Sequence, residues 1–297
     1  MSREQLDRLI ASLRAKEAFR PESVAEMRAE IARNMAKVPA APGVRRRDVE
    51  AAGLRAAWFD PSAATGEHAI LYFHGGGYAL GSIDTHDSLT SRMAEAAGAS
   101  CLSVEYRLAP EHRYPAALED GLAAYRWMLE HAAPAERLAI AGDSAGGGLA
   151  LATLVAARDA GLPLPACAVC LSPWADLACE GESIEARKKI DPTVSPGILR
   201  RLAHIYLGHD DPRHPLASPL YANLSGLPPL LVQVGTAEVL FDDSARLAER
   251  ARAQGVDVHL EVWDDMFHVW QLFAPLLDEA QAAIDAIGRF IRLHWSY

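Results

Sequence analysis

The chain has 297 residues, which suits one large α/β domain or two modest ones, and half of them are hydrophobic, which is ample for a buried core. Its formal net charge of -10 at pH 7 repels polyphosphate backbones and argues against nucleic acid as a partner. Residues 1–20 are charged throughout and lack the apolar core of a signal peptide, and no run reaches the roughly 18 apolar residues of a membrane span, so we expect a cytoplasmic protein.

Two amphipathic helices are predicted ahead of the first strand, over residues 5–15 and 23–36. In each, four apolar residues recur at helical spacing: Leu6, Leu9, Ile10 and Leu13 in the first, and Val24, Met27, Ile31 and Met35 in the second. Each helix therefore needs a surface on which to bury its apolar face.

A strand-and-helix alternation follows, after an antiparallel pair of strands over residues 44–50 and 54–59. The further strands are predicted at 69–73, 100–104, 138–141, 166–171, 230–234 and 257–263, and the helices at 86–97, 116–132, 145–160, 243–253 and 280–293. Because the strand runs are continuously apolar, they indicate a parallel sheet with helices on both faces, in one domain spanning 1–297. Residues 178–219 interrupt the alternation of strands and helices, with five prolines around one predicted helix at 196–206.

The stretch LAIAGDSAGGGL at residues 138–149 contains the pattern G-x-S-x-G centred on Ser144. In this pattern a serine sits on a sharp turn between a strand and a helix with its hydroxyl exposed, and the flanking glycines, here Gly142 and Gly146, avoid backbone clashes. An apolar strand precedes the motif and a small-residue helix follows it, as the pattern requires. Ser144 is therefore the predicted nucleophile.

A second motif, HGGGY at residues 74–78, follows the strand 69–73 directly. With YRLAPEHRYPAALED at 106–120, GDSAGG at 142–147 and a late acid and histidine, the chain resembles the hormone-sensitive-lipase family of α/β-hydrolases, which includes many bacterial esterases. The resemblance implies an α/β-hydrolase fold with a mostly parallel central sheet, helices on both faces and a helical cap. We expect the cap to come from about residues 1–40 and 178–219.

The N-terminal helices either form this cap or, as the alternative, only pack against the sheet without covering the active site. If they form a cap, we expect their apolar residues to line an acyl pocket, and these residues are Leu9, Leu13, Met27, Ile31 and Met35. A pocket closed by such a cap favours short to medium acyl chains.

A serine nucleophile needs a general base, and α/β-hydrolases supply serine, acid and histidine in that chain order. His268 is the candidate base because it lies on the loop after the last predicted strand, whereas His259 lies within that strand and His294 lies at the tail. The alternative for His268 is a buried histidine of the core. Glu238 is the candidate acid; Asp242 is the alternative, although Asp242 and Asp243 stand where helix N-caps are expected.

The resemblance also bears on neighbouring residues. Glu238-Val239-Leu240 takes the place of an Asp-Pro-Leu run usual in the family. The family resemblance also implies that the N–H groups of Gly76 and Gly77 form the oxyanion hole. Ala145 is added because it follows the nucleophile. We expect Glu105, Arg107 and Glu111 to form structural ion pairs and Asp143 to anchor the turn at Ser144.

The function expected from these residues is hydrolysis of short to medium acyl esters, with lactones left open, through an acyl-enzyme on Ser144. The substrate is the only small-molecule partner expected, and no cofactor or metal is predicted, since no histidine pair has ligand spacing near a carboxylate cluster. The same triad also serves amide or peptide hydrolysis. The alternative outside enzymes is a small-molecule receptor similar to the plant gibberellin receptor, which shares this fold and serine turn but has lost the catalytic histidine, whereas His268 is present here.

Two further expectations concern cysteines and assembly. The four cysteines are expected to be packing or incidental residues. The last strand, residues 257–263, ends the sheet and would expose an edge, so we expect a homodimer through this strand and the closing helix at 280–293.

Overall fold

The computed structural model describes residues 3–15 and 23–295. Residues 1–2 and 16–22, which belong to the expected cap segment 1–40, and residues 296–297 lie outside the described part. Its strands are β1 (Val44–Ala51), β2 (Leu54–Pro61), β3 (Ala69–Phe73), β4 (Ser100–Val104), β5 (Leu138–Asp143), β6 (Cys167–Leu171), β7 (Leu230–Gly235) and β8 (Val258–Trp263). Its α-helices are α1 (Arg3–Arg14), α2 (Val24–Met35), α3 (Ile83–Ala97), α4 (Ala116–His131), α5 (Ala145–Asp159), α6 (Glu182–Ala186), α7 (Pro196–Leu207), α8 (Phe241–Ala253) and α9 (Asp278–Trp295).

All eight strands form one sheet in the order β1-β2-β4-β3-β5-β6-β7-β8. The first two are antiparallel to their neighbours, and from β4 to β8 every pairing is parallel. The predicted mostly parallel sheet is therefore confirmed. The strands β3, β5, β6 and β7 are buried at every position, which explains why their sequences are continuously apolar.

Helices cover both faces of the sheet and separate the core into two clusters. One cluster joins α4, α5 and α8 to one face, and the other joins α3 and α9 to the opposite face. Successive strand residues alternate between them, as Ala139 and Ile140 of β5 do. The carboxyl ends of the parallel strands meet at one edge of the sheet, where an α/β protein builds its site.

The N-terminal helices pack in different places, although their sequence patterns are alike. Leu6 and Leu9 of α1 join the α3 and α9 cluster, whereas Met27 of α2 joins the opposite one. Arg3 of α1 pairs with Asp265 at 2.7 Å, which places α1 beside the loop that follows β8. No helix in the described ranges is long and apolar enough to cross a membrane.

Three local expectations are corrected. Helix α3 begins at Ile83, earlier than predicted, because Ser82 caps it by accepting the N–H of Thr85. The short α6 was not predicted in the proline-rich segment. Helix α8 has Leu240 at its N-cap position without a side-chain cap, so Asp242 and Asp243 are not capping residues.

Candidate active site

Ser144 lies at the turn between β5 and α5, in a backbone conformation that L-residues rarely adopt (φ 52, ψ -121). A Cβ on Gly142 would collide with the carbonyl of Gly146, and one on Gly146 would collide with the carbonyl of Phe73. Glycine is therefore required at both positions for this turn to form. The Ser144 N–H donates to Leu171 O at 2.8 Å, which fixes the turn against the neighbouring strand β6.

His268 lies on the loop between β8 and α9, and Glu238 lies on the loop after β7. The Ser144 hydroxyl is 2.9 Å from His268 Nε2, and His268 Nδ1 is 2.9 Å from Glu238 Oε2. With Nδ1 donating its proton to the carboxylate, Nε2 is left as an acceptor for the hydroxyl. The structure thus joins the three predicted residues in one hydrogen-bonded chain, in which Glu238 is fully buried and the other two are nearly so.

We call residues 236–242, which comprise the loop after β7 and the first two residues of α8, the acid loop. Its Glu238 Oε1 accepts hydrogen bonds from Ser172 Oγ at 2.9 Å and from the Gly235 N–H at 2.6 Å. The Ser172 hydroxyl in turn accepts the N–H of Val269, the residue after His268, at 3.2 Å. Sequence reasoning missed Ser172. The available signal was its position directly after buried strand β6, at the same edge of the sheet as Ser144.

The alternative acid, Asp242, belongs to a different set of contacts. Its Oδ2 accepts the N–H of Ser183 at 2.8 Å. The adjacent Asp243 is fully buried and accepts the N–H groups of Ala175 and Asp176, each at 2.9 Å. The carboxylate that the structure brings to His268 is therefore that of Glu238.

Burial lowers the pKa of His268, because it disfavours the imidazolium, but neighbouring carboxylates reverse the effect. The hydrogen bond and charge of Glu238 raise the pKa, and the charges of Asp191 and Asp143 raise it further, so the net shift is upward from 6.5. This environment stabilises the cation that forms when the imidazole takes a proton.

Comparisons with known proteins identify the family to which this fold belongs. A model of the alpha/beta hydrolase fold matches residues 70–272. An acetyl-hydrolase of Streptomyces hygroscopicus is 51% identical over 251 residues, which is 84% of each chain. An esterase of Acinetobacter venetianus is 35% identical over 253 residues, 85% of this chain and 83% of that one. The chain belongs to the α/β-hydrolase family.

The resemblance to the hormone-sensitive-lipase family is confirmed by solved structures. An esterase from the bacterial hormone-sensitive lipase family superposes on this α/β-hydrolase with a TM-score of 0.96, at 47% identity and 98% coverage of both chains. An esterase/lipase from an uncultured bacterium gives a TM-score of 0.94 at 46% identity, with 99% of both chains covered.

The glycine loop of this hydrolase, residues 74–78, turns sharply beside Ser144. Gly76 and Gly77 have φ values of 120 and 62, which favour glycine. Their own N–H groups have no acceptor within the described part of the chain. The N–H of Ala145 is at the first position of α5, so it lacks an intrahelical acceptor as well.

A buried network anchors the glycine loop to the turn at Ser144. Asp143 Oδ1 accepts the Gly75 N–H at 2.9 Å and the Tyr72 hydroxyl, and its Oδ2 is 3.4 Å from His86 Nε2. Burial opposes ionisation of Asp143, but His86 and Tyr72 outweigh it and lower its pKa. Burial and the nearby His86 lower the pKa of His74 to about 3, so that ring is neutral.

A cavity of about 260 Å³ opens above Ser144 and is lined mainly by apolar side chains. Both expected cap segments contribute to it. The contributing side chains are Ile31 and Met35 from α2, Thr193 and Val194 from the segment before α7, and Ile198, Leu199 and Leu202 from α7. Trp174, Leu272 and Phe273 also line it.

Part of the pocket expectation is wrong. Leu9, Leu13 and Met27 are not among the residues that line the cavity, because they pack into the two core clusters instead. Helix α2, not α1, is the N-terminal helix that lines the cavity above Ser144. The difference arises because the two helices lie on opposite core clusters.

The residues expected to form structural ion pairs do so, and one pair holds α2 in place. The pairs are Arg55–Glu105 at 3.3 Å, Arg107–Asp120 at 2.7 Å and Arg28–Glu111 at 2.8 Å. Arg28 of α2 also donates to the carbonyls of Ala79 and Ala109, at 2.8 and 2.9 Å. The hydrogen bond from Arg28 lowers the pKa of Glu111 to about 2. This contact ties α2 to the segment that follows the glycine loop.

Three of the four cysteines, Cys101, Cys167 and Cys170, are buried, and all four are free thiols. Within residues 3–15 and 23–295, no group of three or more potential ligand side chains could hold a metal ion.

Proposed function

We propose that this α/β-hydrolase is a carboxylesterase that cleaves short to medium acyl esters through an acyl-enzyme on Ser144. The observation that carries the proposal is the hydrogen-bonded chain from Ser144 through His268 to Glu238 at the foot of an apolar cavity. The esterase and acetyl-hydrolase names of its relatives support the same conclusion.

In the first half of the reaction, His268 Nε2 takes the proton of Ser144 as Oγ attacks the ester carbonyl carbon. Glu238 holds Nδ1–H and stabilises the imidazolium. When the tetrahedral intermediate collapses, the carbon–oxygen bond to the alcohol breaks, and His268 returns the proton to the leaving alkoxide. The acyl group is then bonded to Ser144 Oγ.

In the second half, water enters and His268 removes its proton as the water oxygen attacks the acyl carbon. The intermediate collapses again, the acid leaves, and the proton returns to Ser144. The negative oxygen of both intermediates is stabilised by the N–H groups of Gly76, Gly77 and Ala145. Each such donor contributes about 2.7 to 4 kcal/mol to lowering the barrier.

The cavity supports uncharged acyl groups of limited length as substrates. No Lys or Arg stands among its lining residues in the described chain, so it offers no ion-pair partner to an anionic acyl group. A volume of about 260 Å³ is also finite, and each methylene it accommodates contributes about 0.8 kcal/mol until the space ends. Lactones present the same carbonyl and remain candidates.

A panel of p-nitrophenyl esters from acetate to dodecanoate, one lactone and a p-nitroanilide matched to the best ester tests this function. We expect a maximum at about four to eight acyl carbons, a much slower anilide, and loss of nearly all ester turnover in Ser144→Ala. A faster anilide would favour the amide or peptide hydrolase instead, since the triad serves both. A fully active, pure Ser144→Ala protein would contradict the proposal.

We also propose a homodimer through β8 and α9. The strand β8 pairs with β7 on one side only, and Val262 of β8 and Leu293 of α9 are 46% and 56% exposed. Light scattering at micromolar concentration is expected to give twice the 32.1 kDa mass of one chain. A monomer would exclude the dimer.

We further propose a cytoplasmic location, which suits the free thiols. Fractionation of cells that produce the protein tests it.

A further inference from the structure

The segment 181–194, which we call the strap, lies along the acid loop. Ser183 Oγ donates to the carbonyl of Val239 at 2.7 Å, so the first turn of the strap is attached to the middle of that loop. Arg187 Nη1 donates to a carbonyl at the beginning of the same loop, and its guanidinium lies 3.8 Å from the ring centre of Phe241. The strap therefore contacts the acid loop along most of its length.

One carboxylate in the strap makes contacts in two directions. Asp191 Oδ2 accepts the N–H of Val239, the residue after Glu238, at 3.0 Å. Its Oδ1 accepts the N–H and the hydroxyl of Thr193, at 2.9 and 2.8 Å, and the N–H of Val194 at 3.0 Å. Thr193 and Val194 are part of the cavity wall. Asp191 thus bridges the wall of the acyl cavity and the acid loop.

The bridge is buried and charged. Asp191 is only 6% exposed, and no cationic side chain of the described chain forms an ion pair with it, so four hydrogen-bond donors alone satisfy it. Its charge is one of those that raise the pKa of His268. Three carboxylates from three elements raise the pKa of His268: Glu238 of the acid loop, Asp191 of the strap and Asp143 at the end of β5.

We propose that Asp191 is a positioning residue for ester hydrolysis, which fixes the backbone beside Glu238 and the cavity wall at Thr193 and Val194 as one unit. The proposal rests on the proposed roles of Ser144, His268 and Glu238. It goes beyond them because it links the shape of the acyl cavity to the placement of the acid. A substitution at Asp191 therefore changes both the turnover rate and the acyl-length preference.

Asp191→Asn tests the bridge because an amide has one acceptor oxygen and one NH₂ donor. Whichever way the amide is oriented, its NH₂ group faces either the N–H of Val239 or the donors of Thr193 and Val194, and one set of contacts breaks. We expect kcat to fall by about 10- to 100-fold and the ratio of octanoate to butyrate turnover to change. In the pH profile of kcat/KM, the loss of activity on the acid side should move to lower pH, because a charge that favours the imidazolium of His268 is removed. We call this part of the profile the acid limb.

Asp120→Asn is the matched control. Asp120 is also 6% exposed and also accepts a backbone N–H, that of Arg107, at 2.8 Å, but it lies in α4 away from the acid loop and the cavity. It should lower the melting temperature without moving the acid limb or the octanoate-to-butyrate ratio. Asp191→Glu keeps the charge but displaces it, so kcat should fall while the acid limb stays near that of the wild type.

The outcomes separate this proposal from the proposed function. If Ser144→Ala abolishes turnover but Asp191→Asn behaves like Asp120→Asn, Asp191 is only structural and the inference is overturned. If Ser144→Ala stays active, the proposed function itself fails. Should Asp191→Asn not fold, Thr193→Val decides: it removes one hydrogen bond of Asp191, and an unchanged octanoate-to-butyrate ratio would overturn the inference.

Discussion

Leu202 of α7 lies directly against Gly77 of the glycine loop, so closely that a Cβ on Gly77 would lie 2.5 Å from Leu202 Cδ1. Gly77 is one of the proposed oxyanion donors, and Leu202 belongs to the cavity wall. Helix α7, which lines the cavity, is therefore packed on the glycine loop, whose N–H groups would bind the negative oxygen of the tetrahedral intermediate. A shift of α7 would displace a donor as well as the wall.

Gly77→Ala should lower kcat/KM about 10²- to 10³-fold, the loss expected when one oxyanion donor is misplaced. The added methyl collides with Leu202, and the φ of 62 at this position disfavours any residue with a Cβ. Gly77→Ala combined with Leu202→Ala should recover part of the loss, because it removes the collision but not the backbone strain. Equal activity of Gly77→Ala and the wild type on p-nitrophenyl butyrate would argue against a role for this loop.

Glu238→Gln and Asp242→Asn should differ strongly in kcat. The first removes the carboxylate that holds His268 Nδ1–H, and a comparable carboxylate-to-amide change in a triad lowers kcat by about 10⁴. The second alters the contact with the N–H of Ser183 and the charge near Arg187 but no contact of His268, so kcat should stay within a few fold of the wild type. Steady-state kinetics on one ester decides, with circular dichroism as the control for folding. The reverse ranking would make Asp242 the acid.

The sequence predicted the sheet, its parallel direction and the positions of Ser144 and His268, because each depends on a local pattern. Continuous apolar runs reveal buried strands, and the chain order of serine and histidine fixes which strand ends they follow. The acid was ambiguous because Glu238 and Asp242 lie only four residues apart after the same strand. The hydrogen bond between His268 Nδ1 and Glu238 Oε2 separates the two candidates, and the Gly235 N–H and Ser172 hold that carboxylate in place.

Ser172 and Asp191 were not predicted, because their contacts join segments far apart in the chain. Ser172 contacts Glu238 and Val269, and Asp191 contacts Val239, so these hydrogen bonds join four separate segments of the chain. An amphipathic helix poses the same difficulty. Its pattern shows that one face is buried but not against which partner, which is why α1 and α2 were expected to lie on one pocket and instead pack on opposite core clusters.

The pH dependence of kcat/KM should show an acid limb at or above pH 6.5. Only neutral His268 accepts the Ser144 proton, and the folded protein raises the pKa of His268 above its ordinary value of 6.5, so activity is lost as the pH falls through that raised value. Above the acid limb, kcat/KM should stay constant into mild alkali. Rates on p-nitrophenyl butyrate from about pH 4 to pH 9, with folding followed by circular dichroism, provide the measurement. A flat profile down to about pH 5 in folded protein is incompatible with His268 as the base.

Two methionines of α2 provide a matched test of which face of that helix sets acyl length. Met35 lines the cavity and is half-buried, whereas Met27 is 6% exposed and packs in the core. Met35→Ala enlarges the cavity, so the best ester should shift to longer chains by about one or two carbons, each additional methylene contributing about 0.8 kcal/mol.

Met27→Ala should instead lower the free energy of unfolding by about 2 to 5 kcal/mol, as core truncations do, and leave the acyl-length profile in place. The same p-nitrophenyl ester series and a thermal melt measure both effects on both variants. If Met35→Ala retains the wild-type profile, or if Met27→Ala shifts it equally, α2 acts on the site only through the stability of the fold. A shift confined to Met35→Ala instead assigns chain-length selection to the cavity face of the helix, because both substitutions shorten the same side chain in the same element.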